Sequence, residues 1–330
     1  MESGFPDDET IRAALALAVR APSIHNSQPW RWRVGERTVH LYADAERQLA
    51  RADPARRELI LSCGVALQHF SVALAALGWQ AHIHRLPNPA DPDHLASIEL
   101  LPSTGSEQDI ALASAIPRRR TDRRWYSSWP VPAGDIAQMA ARAARSGVAL
   151  RRVDDLRQLS AVLATATHQH AEDAEYLAEL ARWSGRYGSL AGVPARNTPT
   201  PSHGPVPGRA FASPALPQPR GAESRNDAGV VLVLGTSTDD HISLLRAGEA
   251  TGVVLLTATA LGLASCPLTE PLEIAGTRET VRSLALDGDG FPQMLLRIGW
   301  APLNADPLPA TPRRPLSEVV QRLDGASISL

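Results

Sequence analysis

The chain has 330 residues, 44% of them hydrophobic, which suits about two domain-sized units because a single core seldom grows past about 250–300 residues. Lysine and arginine together number 33 against 35 acidic residues, so the net charge of −2 predicts neither nucleic acid nor anionic lipid as a partner. The basic residues are all arginine. This composition excludes a P-loop and a Schiff-base lysine, and it leaves arginine as the only permanent cation that could hold a phosphate.

Cysteine usage, the N-terminal residues and the length of the longest apolar stretch indicate the compartment of the protein. Cys63 and Cys266 are too few for a disulfide scaffold or a zinc ribbon, and the acidic N-terminus differs from the basic start of a signal peptide. Residues 253–264 form the longest apolar stretch, which is shorter than the about 20 residues of a membrane span and is typical of a buried core helix. We therefore expect a cytoplasmic protein with no membrane partner.

Two histidine pairs were considered as metal ligands. His82 and His84 share one face of a predicted strand, whereas His168 and His170 lie about 200° apart around a predicted helix and do not converge. Neither pair is accompanied by further ligands at metal-site spacing. No metal is expected.

The first part of the chain alternates helices with pairs of strands. Its first helix ends before Pro22, because the residue before a proline is disfavoured in the α region. Its second helix is apolar nearly all round, which is typical of a central core helix. The predicted elements are a helix at 9–21, strands at 30–34 and 38–43, a helix at 57–78, and strands at 79–85 and 95–100.

The second part repeats this pattern with a second apolar helix. Residues 245–267 align with the first central helix at an offset of 184, so that Gly64 matches Gly248 and Gly78 matches Gly262. This alignment favours a duplication, with a shorter first unit at 1–110 and a second unit at 111–330. The other predicted elements are helices at 132–145 and 154–183 and strands at 148–153, 229–235 and 293–299.

A proline-rich segment, residues 194–219, interrupts the second unit. It contains eight prolines and little apolar periodicity, so it can form neither a helix nor a central strand. Loops of this length within a domain are usually lids, binding loops or linkers. The sequence does not decide whether this segment is a lid or a passive linker.

The densest local charge is at residues 118–124, where five of seven residues are arginine. One interpretation is a solvated basic turn that is partly paired with Asp122. The other is a phosphate site, because guanidinium groups match phosphate oxygens bidentately and the hydroxyl of Thr121 adds a donor. A second basic pair, Arg313 and Arg314, follows near the C-terminus.

The decapeptide APSIHNSQPW at 21–30 places polar side chains between two prolines and a tryptophan. Serine, asparagine and proline are turn residues, so turn chemistry alone could account for it. The same side chains would also form a suitable wall for a polar heteroaromatic ring.

These motifs together resemble the nitroreductase superfamily of FMN enzymes. APSIHNSQPW is similar to the family's APSxxNxQPW signature, residues 119–123 to its RR[ST]xR start, GLASCPL at 262–268 to its GLGSxPI turn, and PRRPLSEVV at 312–320 to its basic C-terminal segment. Their order is most like the Acg-like branch, in which two units are fused. The resemblance implies an α+β fold of two nitroreductase-like units, each a mainly antiparallel sheet flanked by helices, joined near 101–117 into an intramolecular pseudo-dimer.

The resemblance also implies roles for individual residues. The arginine motif would contact the phosphate and flavin N1, the turn after the second central helix would bring backbone N–H groups toward flavin N5, and the C-terminal pair would close on the phosphate. The polar loop would reach the flavin from the other unit. By position, the implied cofactor-binding residues are Pro22, Ser23, His25, Asn26, Arg119, Arg120, Thr121, Arg123, Pro267, Leu268, Thr269, Glu270, Arg313 and Arg314.

The two units depart from the family pattern in complementary ways. The first unit has no arginine cluster, and the second unit has no counterpart of the polar loop. One composite site per chain is therefore expected, occupied by FMN and reduced transiently by NADH or NADPH, with a nitroaromatic or quinone as the small-molecule acceptor. The flavin would carry the chemistry, so no catalytic residue is assigned, and His25 is the one candidate acid.

Two other functions remain open from the sequence. If the proline-rich segment covers the flavin, the chain could bind or sequester FMN with little turnover. The same segment could instead serve as a polyproline ligand for a protein partner. The sequence does not decide whether the chain acts as a monomeric pseudo-dimer or dimerises further.

Overall fold

Two mainly antiparallel sheets, each flanked by helices, form the protein in the computed structural model, which describes residues 4–185, 188–200, 204, 206–220 and 222–324. The predicted α+β class is confirmed. The first sheet has the order β3-β4-β2-β1-β9 and contains β1 (Trp30–Val34), β2 (Thr38–Ala43), β3 (Trp79–Arg85), β4 (His94–Pro102) and β9 (Val320–Arg322). The second sheet has the order β5-β6-β8-β7 and contains β5 (Ala149–Arg152), β6 (Val230–Thr236), β7 (Ala264–Leu268) and β8 (Phe291–Gly299).

The helices pack on these sheets and on one another. Apolar spacing buries one face of most of them, whereas the two central helices are buried nearly all round. In chain order they are α1 (Asp8–Ala18), α2 (Arg57–Ala76), α3 (Glu107–Ala115), α4 (Ala133–Ala144), α5 (Leu156–Glu172), α6 (Ala174–Trp183), α7 (His241–Ala260), α8 (Ala275–Leu286) and the short α9 (Leu316–Val319).

Helices α2 and α7 cross at their glycines. A Cβ atom on Gly64 would lie 2.2 Å from the carbonyl oxygen of Leu245, and one on Gly248 would lie 2.1 Å from the carbonyl oxygen of Leu61. Only glycine permits so close an approach of two helix backbones. Gly64 and Gly248 are related by the offset of 184 found in the sequence, and so are Leu61 and Leu245. Exchanging the two helices therefore exchanges the two contacts, and the crossing has the same geometry seen from either helix.

The central helices are long as well as apolar. Each has 20 residues, and by length and composition alone either could cross a membrane. The apolar stretch at 253–264, considered by itself in the sequence, is too short to indicate this. Most of each helix is buried inside this fold. Their apolar character is therefore explained by the core that they form, as predicted for both.

Some elements differ from the sequence prediction. The helix predicted over 154–183 is divided at Asp173, whose carboxylate accepts from the backbone N–H groups of Glu175 and Tyr176 at 2.9 and 3.0 Å and so caps α6. Helices α3 and α8 and strand β7 were not predicted. Strand β9 was also missed, and it pairs in parallel with β1, so the C-terminus of the chain completes the first sheet.

Candidate functional site

The loop of residues 21–28, between α1 and β1, has a backbone that side chains rarely adopt. His25, Asn26 and Gln28 have positive φ angles of 44°, 55° and 55°. Non-glycine residues in this left-handed region cost free energy and persist where the surrounding structure holds them, often at functional sites. All three are also buried. The loop is therefore a fixed wall rather than a flexible connection.

Contacts with two distant segments hold this loop in place. The side-chain nitrogen of Asn26 donates to the carbonyl oxygens of Gly192 at 3.0 Å and Pro312 at 3.1 Å. Its side-chain oxygen accepts from Arg313 Nη1 at 2.9 Å. Both polar atoms of the Asn26 amide are thus engaged by the protein itself, and we assign it to shaping the loop.

The arginine-rich segment, residues 118–124, runs beside the start of β7. Thr121 forms a parallel bridge with Ser265, and the backbone N–H of Asp122 donates to the carbonyl oxygen of Ser265 at 2.9 Å. Arg124 is buried and donates to both carboxylate oxygens of Asp122, at 3.0 and 2.9 Å. In the described part of the chain, the arginines of this segment without a carboxylate partner are Arg118, Arg119, Arg120 and Arg123.

A pocket of about 830 Å³, including open space at its mouth, lies where this segment, the 21–28 loop and the C-terminal segment meet. We call it the arginine pocket. Ser23, Asn26 and Thr121 also line it, and no acidic residue of the described chain does. The charged lining residues are Arg20, Arg119, Arg120, Arg123 and Arg313.

No carboxylate of the described chain pairs with an arginine that lines the arginine pocket, although neutral oxygens accept from both Nη atoms of Arg313. Nε and Nη1 of Arg119 and Nε of Arg313 are buried with no hydrogen-bond partner among the described residues. Burial, together with the neighbouring arginines, lowers the pKa of Arg119 to about 10 and that of Arg313 to about 9. Burial and these two arginines also hold the pKa of His69, on α2, well below its usual range. A bound anion would relieve these costs.

A larger space adjoins the arginine pocket and shares Pro22, Ser23, Thr121 and Arg123 with it. It measures about 1290 Å³, including open space at its mouth, and we call it the main cavity. Side chains of the two central helices form one wall, and residues 267–270, at the end of β7 and just after it, form another. A largely apolar wall beside a cationic pocket suits a flat ring that carries an anionic tail.

The proline-rich segment covers one side of the main cavity. Pro199, Val206, Pro207 and Phe211 line it, although Pro201 and Pro205 lie outside the described residues. The guanidinium of Arg123 also lies over the ring of Phe211, 4.9 Å from its centre. The segment is therefore part of the cavity wall, which is the position that a lid would occupy.

Arg209 anchors this segment inside the main cavity. Its Nη1 donates to His25 Nε2 at 2.6 Å and to the hydroxyl of Tyr176 at 2.8 Å. Its Nη2 donates to Thr269 Oγ1 at 3.3 Å and to a carboxylate oxygen of Glu273. Burial opposes the charge of Arg209, but Glu273, Tyr176 and Glu270 together outweigh it, and the pKa of the guanidinium rises further. This arginine is compensated by the protein itself.

Two further carboxyl groups line the main cavity in different settings. Glu270 Oε1 lies 3.4 Å from His170 Nδ1, and although burial opposes it, this contact and Arg209 lower the pKa of Glu270. Glu58 is buried and neither of its carboxyl oxygens has a partner among the described residues. Burial, together with the charge of Glu273, raises the pKa of Glu58 well above its usual range.

The structure brings together all but one of the predicted cofactor residues. Those residues line the arginine pocket, the main cavity or both. Arg314 lines neither, because it is paired with Asp44 at 3.4 Å and with Glu318 at 3.2 Å. Its partner in the sequence motif, Arg313, reaches the arginine pocket instead.

Sequence reasoning missed three residues of this site. Glu58 stands in the first turn of α2 with no local pattern to mark it, and Asn197 and Arg209 lie in the proline-rich segment, where only prolines drew attention. Asn197 lines the arginine pocket and its side-chain oxygen is buried without a partner in the described chain. Arg209 is one of two arginines in that segment, and no local pattern distinguishes it from Arg196.

Comparisons with known proteins identify the family of this chain. A family model described as the nitroreductase family matches residues 116–300, more than half of the chain. In Mycobacterium tuberculosis, the protein named "Putative NAD(P)H nitroreductase Rv3131" is 60% identical over 97% of this chain and 94% of its own length. The one named "Putative NAD(P)H nitroreductase acg" is 40% identical over 94% of this chain and 95% of its own length.

Among solved structures, the chain is similar to a nitroreductase with bound FMN from Bacteroides fragilis. It is 14% identical, covers 59% of this chain and 90% of its own, and has a TM-score of 0.39. The relatives with higher identity define the class of this protein, an oxidoreductase. The chain belongs to the nitroreductase family, and the family resemblance seen in the sequence is confirmed.

Proposed function

We propose that the chain is an FMN-dependent NAD(P)H oxidoreductase with one composite cofactor site. The observation that carries this proposal is the set of buried, uncompensated guanidinium groups at one end of a cavity with apolar walls. The residues fit the cofactor, because a phosphate dianion would satisfy Arg119 and Arg313 while the ring would occupy the main cavity. When bound, FMN would supply two-electron chemistry between NAD(P)H and a nitroaromatic or quinone acceptor.

The residues of the chain would divide the work of holding this cofactor. Arg119, Arg120 and Arg313 would bind the phosphate, and Arg123, which lines both spaces, would lie between the phosphate and the ring. Leu268, Thr269 and Glu270 would offer backbone N–H groups at another wall, whereas Pro267 has none to donate. Pro22, Ser23 and His25 would close the site from the loop, whose fixed backbone costs no ordering on binding. We assign no cofactor contact to Arg314.

The proposed site combines two units of one chain. The arginine segment belongs to residues 111–330 and the loop to residues 1–110, which we propose as two fused nitroreductase-like units in an intramolecular pseudo-dimer. The matched contacts of Gly64 and Gly248 support that arrangement. Since each unit holds only half of the required residues, the proposal requires one FMN per chain.

Calorimetric titration of the apoprotein tests this proposal. We expect one FMN per chain, and chromatography of the cofactor released from purified protein should identify FMN rather than FAD. Two FMN per chain would contradict the composite site. A colourless protein that takes up no added FMN would contradict the function as a whole.

A second candidate, an FMN-sequestering protein with little turnover, is favoured by one observation. The proline-rich segment forms a side of the main cavity and is fixed there by the buried pair of Arg209 and Glu273. If this cover persists, acceptors would not reach the ring. Steady-state oxidation of NADH and of NADPH with a panel of quinones and nitroaromatics distinguishes the two functions, because only the oxidoreductase turns over.

A further inference from the structure

Reduction of a carbonyl or nitro acceptor needs protons as well as electrons. If the main cavity is where an acceptor is reduced, as the proposed function holds, a group in its wall must supply a proton to the oxygen that gains charge. Apart from arginines, the ionisable side chains that line the cavity in the described chain are His25, Glu58, Cys266 and Glu270. Burial raises the pKa of the Cys266 thiol, which makes it a poorer proton donor, and the hydrogen bonds of the other three decide which of them can donate.

His25 is unsuited to this role although the sequence made it the candidate acid. Its Nε2 lies 2.6 Å from Arg209 Nη1, and because a guanidinium only donates, Nε2 must accept. The ring is then neutral and carries its proton on Nδ1, and loss of that proton would leave an imidazolate. Burial and the charge of Arg209 hold the pKa of His25 well below its usual range, in agreement with the neutral form.

Two of the cavity's carboxylates are also engaged. Glu270 is hydrogen-bonded to His170, and Glu273, beside the cavity, is paired with Arg209. A carboxylate held ionised by a cationic partner accepts protons but has none to give. These two groups therefore stabilise Arg209 and His170 rather than supply an acceptor.

Glu58 differs from both. It lines the main cavity, is 4% exposed, and neither carboxyl oxygen has a hydrogen-bond partner among the described residues. An ionised carboxylate left in that condition would carry a large desolvation cost, whereas a protonated one is neutral. The charged groups that face it are the carboxylates of Glu273 and Asp53 and the guanidinium groups of Arg209 and Arg57.

We propose that Glu58, in its protonated form, is the acid that protonates the reduced acceptor. For a quinone, two electrons and one proton arrive as a hydride equivalent from NAD(P)H by way of the cofactor. The O–H bond of the Glu58 carboxyl breaks as an O–H bond forms on the acceptor oxygen, which gives the hydroquinone. The Glu58 carboxylate then takes a proton from water before the next turnover.

The test compares Glu58→Gln with the wild-type holoenzyme using two acceptors. A quinone needs the proton, whereas ferricyanide takes electrons alone. General acid catalysis contributes about 10²–10⁴-fold, so the ratio of quinone to ferricyanide turnover should fall by about 100-fold or more in Glu58→Gln. Glu249, a buried glutamate paired with Arg85 at 2.7 Å outside both spaces, supplies the matched control, and Glu249→Gln should keep the wild-type ratio.

Infrared spectroscopy supplies a readout that does not need turnover. Wild-type protein at pH 7 should show the carbonyl stretch of a protonated carboxyl, and this band should be missing in Glu58→Gln but present in Glu249→Gln. An unchanged turnover ratio, or the absence of the band from wild-type protein, would overturn the role of Glu58. If the wild type reduces neither acceptor, the proposed function fails and this inference fails with it, whereas ferricyanide turnover with an unchanged ratio refutes the inference alone.

Discussion

Arg209 and Arg119 are both buried guanidinium groups in the wall of the same site, yet their surroundings are opposite. Arg209 meets Glu273, and two neutral oxygens and a histidine nitrogen accept its remaining bonds. Arg119 meets other arginines and leaves Nε and Nη1 unpartnered among the described residues. Charge that the protein compensates holds the structure together, whereas charge that it leaves uncompensated is held ready for an external anion.

The largest expected effect comes from removing the compensated arginine. Arg209→Met takes the guanidinium partner from the buried carboxylate of Glu273, which keeps the Thr269 hydroxyl at 3.0 Å and His170 Nε2 at 3.8 Å. Breaking a buried ion pair costs about 3–5 kcal/mol. We expect a loss of that order in the free energy of unfolding, measured with urea, and faster exchange of bound flavin because the proline-rich segment loses its anchor. The double variant Arg209→Met/Glu273→Gln should recover much of the stability. Equal stability of Arg209→Met and wild type would contradict the comparison.

Removing Arg119, the uncompensated arginine, should have the opposite effect on the stability of the apoprotein. Arg119→Met takes away a buried charge that only arginines face, so the melting temperature of the apoprotein should not fall, and it should rise at low ionic strength. FMN binding should weaken by roughly 1.5–3 kcal/mol, which is the range for a hydrogen bond to a charged group and about one to two decades in affinity. Arg118→Met, at an exposed site of the same segment, is the control and should change neither quantity. If Arg119→Met bound FMN with wild-type affinity, the assignment of the phosphate to the arginine pocket would be wrong.

Features of the site that arise from neighbouring residues could be predicted from the sequence, whereas features that arise from contacts between distant segments could not. Five arginines within seven residues are a charge excess that is visible in the sequence alone. Helices α2 and α7 are apolar on nearly all faces, which also predicts from the sequence that they are buried in the core. The role of Glu58 arises only where α2 meets the segment that carries Arg209, so no local pattern could reveal it. The same holds for β9, whose three residues are too few for periodicity and which forms only because it pairs with β1.

The fold was predicted most accurately where packing is uniform along an element. The helix predicted over 154–183 failed at Asp173 because apolar spacing continues on both sides of it, while the capping carboxylate ends one helix and begins the next. The structure places the predicted cofactor residues, Arg314 apart, around the arginine pocket and the main cavity, and their binding of FMN stays a prediction.

His69, a buried histidine of α2 close enough to sense Arg119 and Arg313, should give a smaller effect, a pH dependence of stability. His69 is held neutral in the folded state by a lowered pKa, whereas in the unfolded chain its pKa is about 6.5. Its contribution to apoprotein stability is thus fully present above about pH 6.5 and is lost as the pH falls below that value, since the unfolded chain then binds more protons. His69→Leu should flatten the fall in melting temperature between about pH 7 and pH 5. An unchanged slope would show that the imidazole does not sense the arginines.

The smallest effect is expected at the loop. Ser23 Oγ accepts from the backbone N–H of Gln28 at 2.9 Å, and the residue lines both spaces. Because its contribution to a ligand is uncharged, Ser23→Ala should weaken FMN binding by about 1 kcal/mol or less, below either arginine substitution. Isothermal titration alongside Arg119→Met gives the comparison, and a larger loss in Ser23→Ala than in Arg119→Met would reverse the ranking of charge over loop contacts.

The central claim is that the arginine pocket holds the phosphate of a flavin whose ring occupies the main cavity, and a comparison of FMN with riboflavin tests it most directly. The two ligands share the ring and differ by the phosphate, so calorimetric titration of apoprotein should give one site per chain for each, with FMN tighter by about two decades or more, since several charged hydrogen bonds of about 1.5–3 kcal/mol each are at stake. In Arg119→Met this preference should shrink by one to two decades while riboflavin affinity is unchanged. Equal affinity of wild-type protein for FMN and riboflavin, or a preference that Arg119→Met leaves intact, would contradict the account.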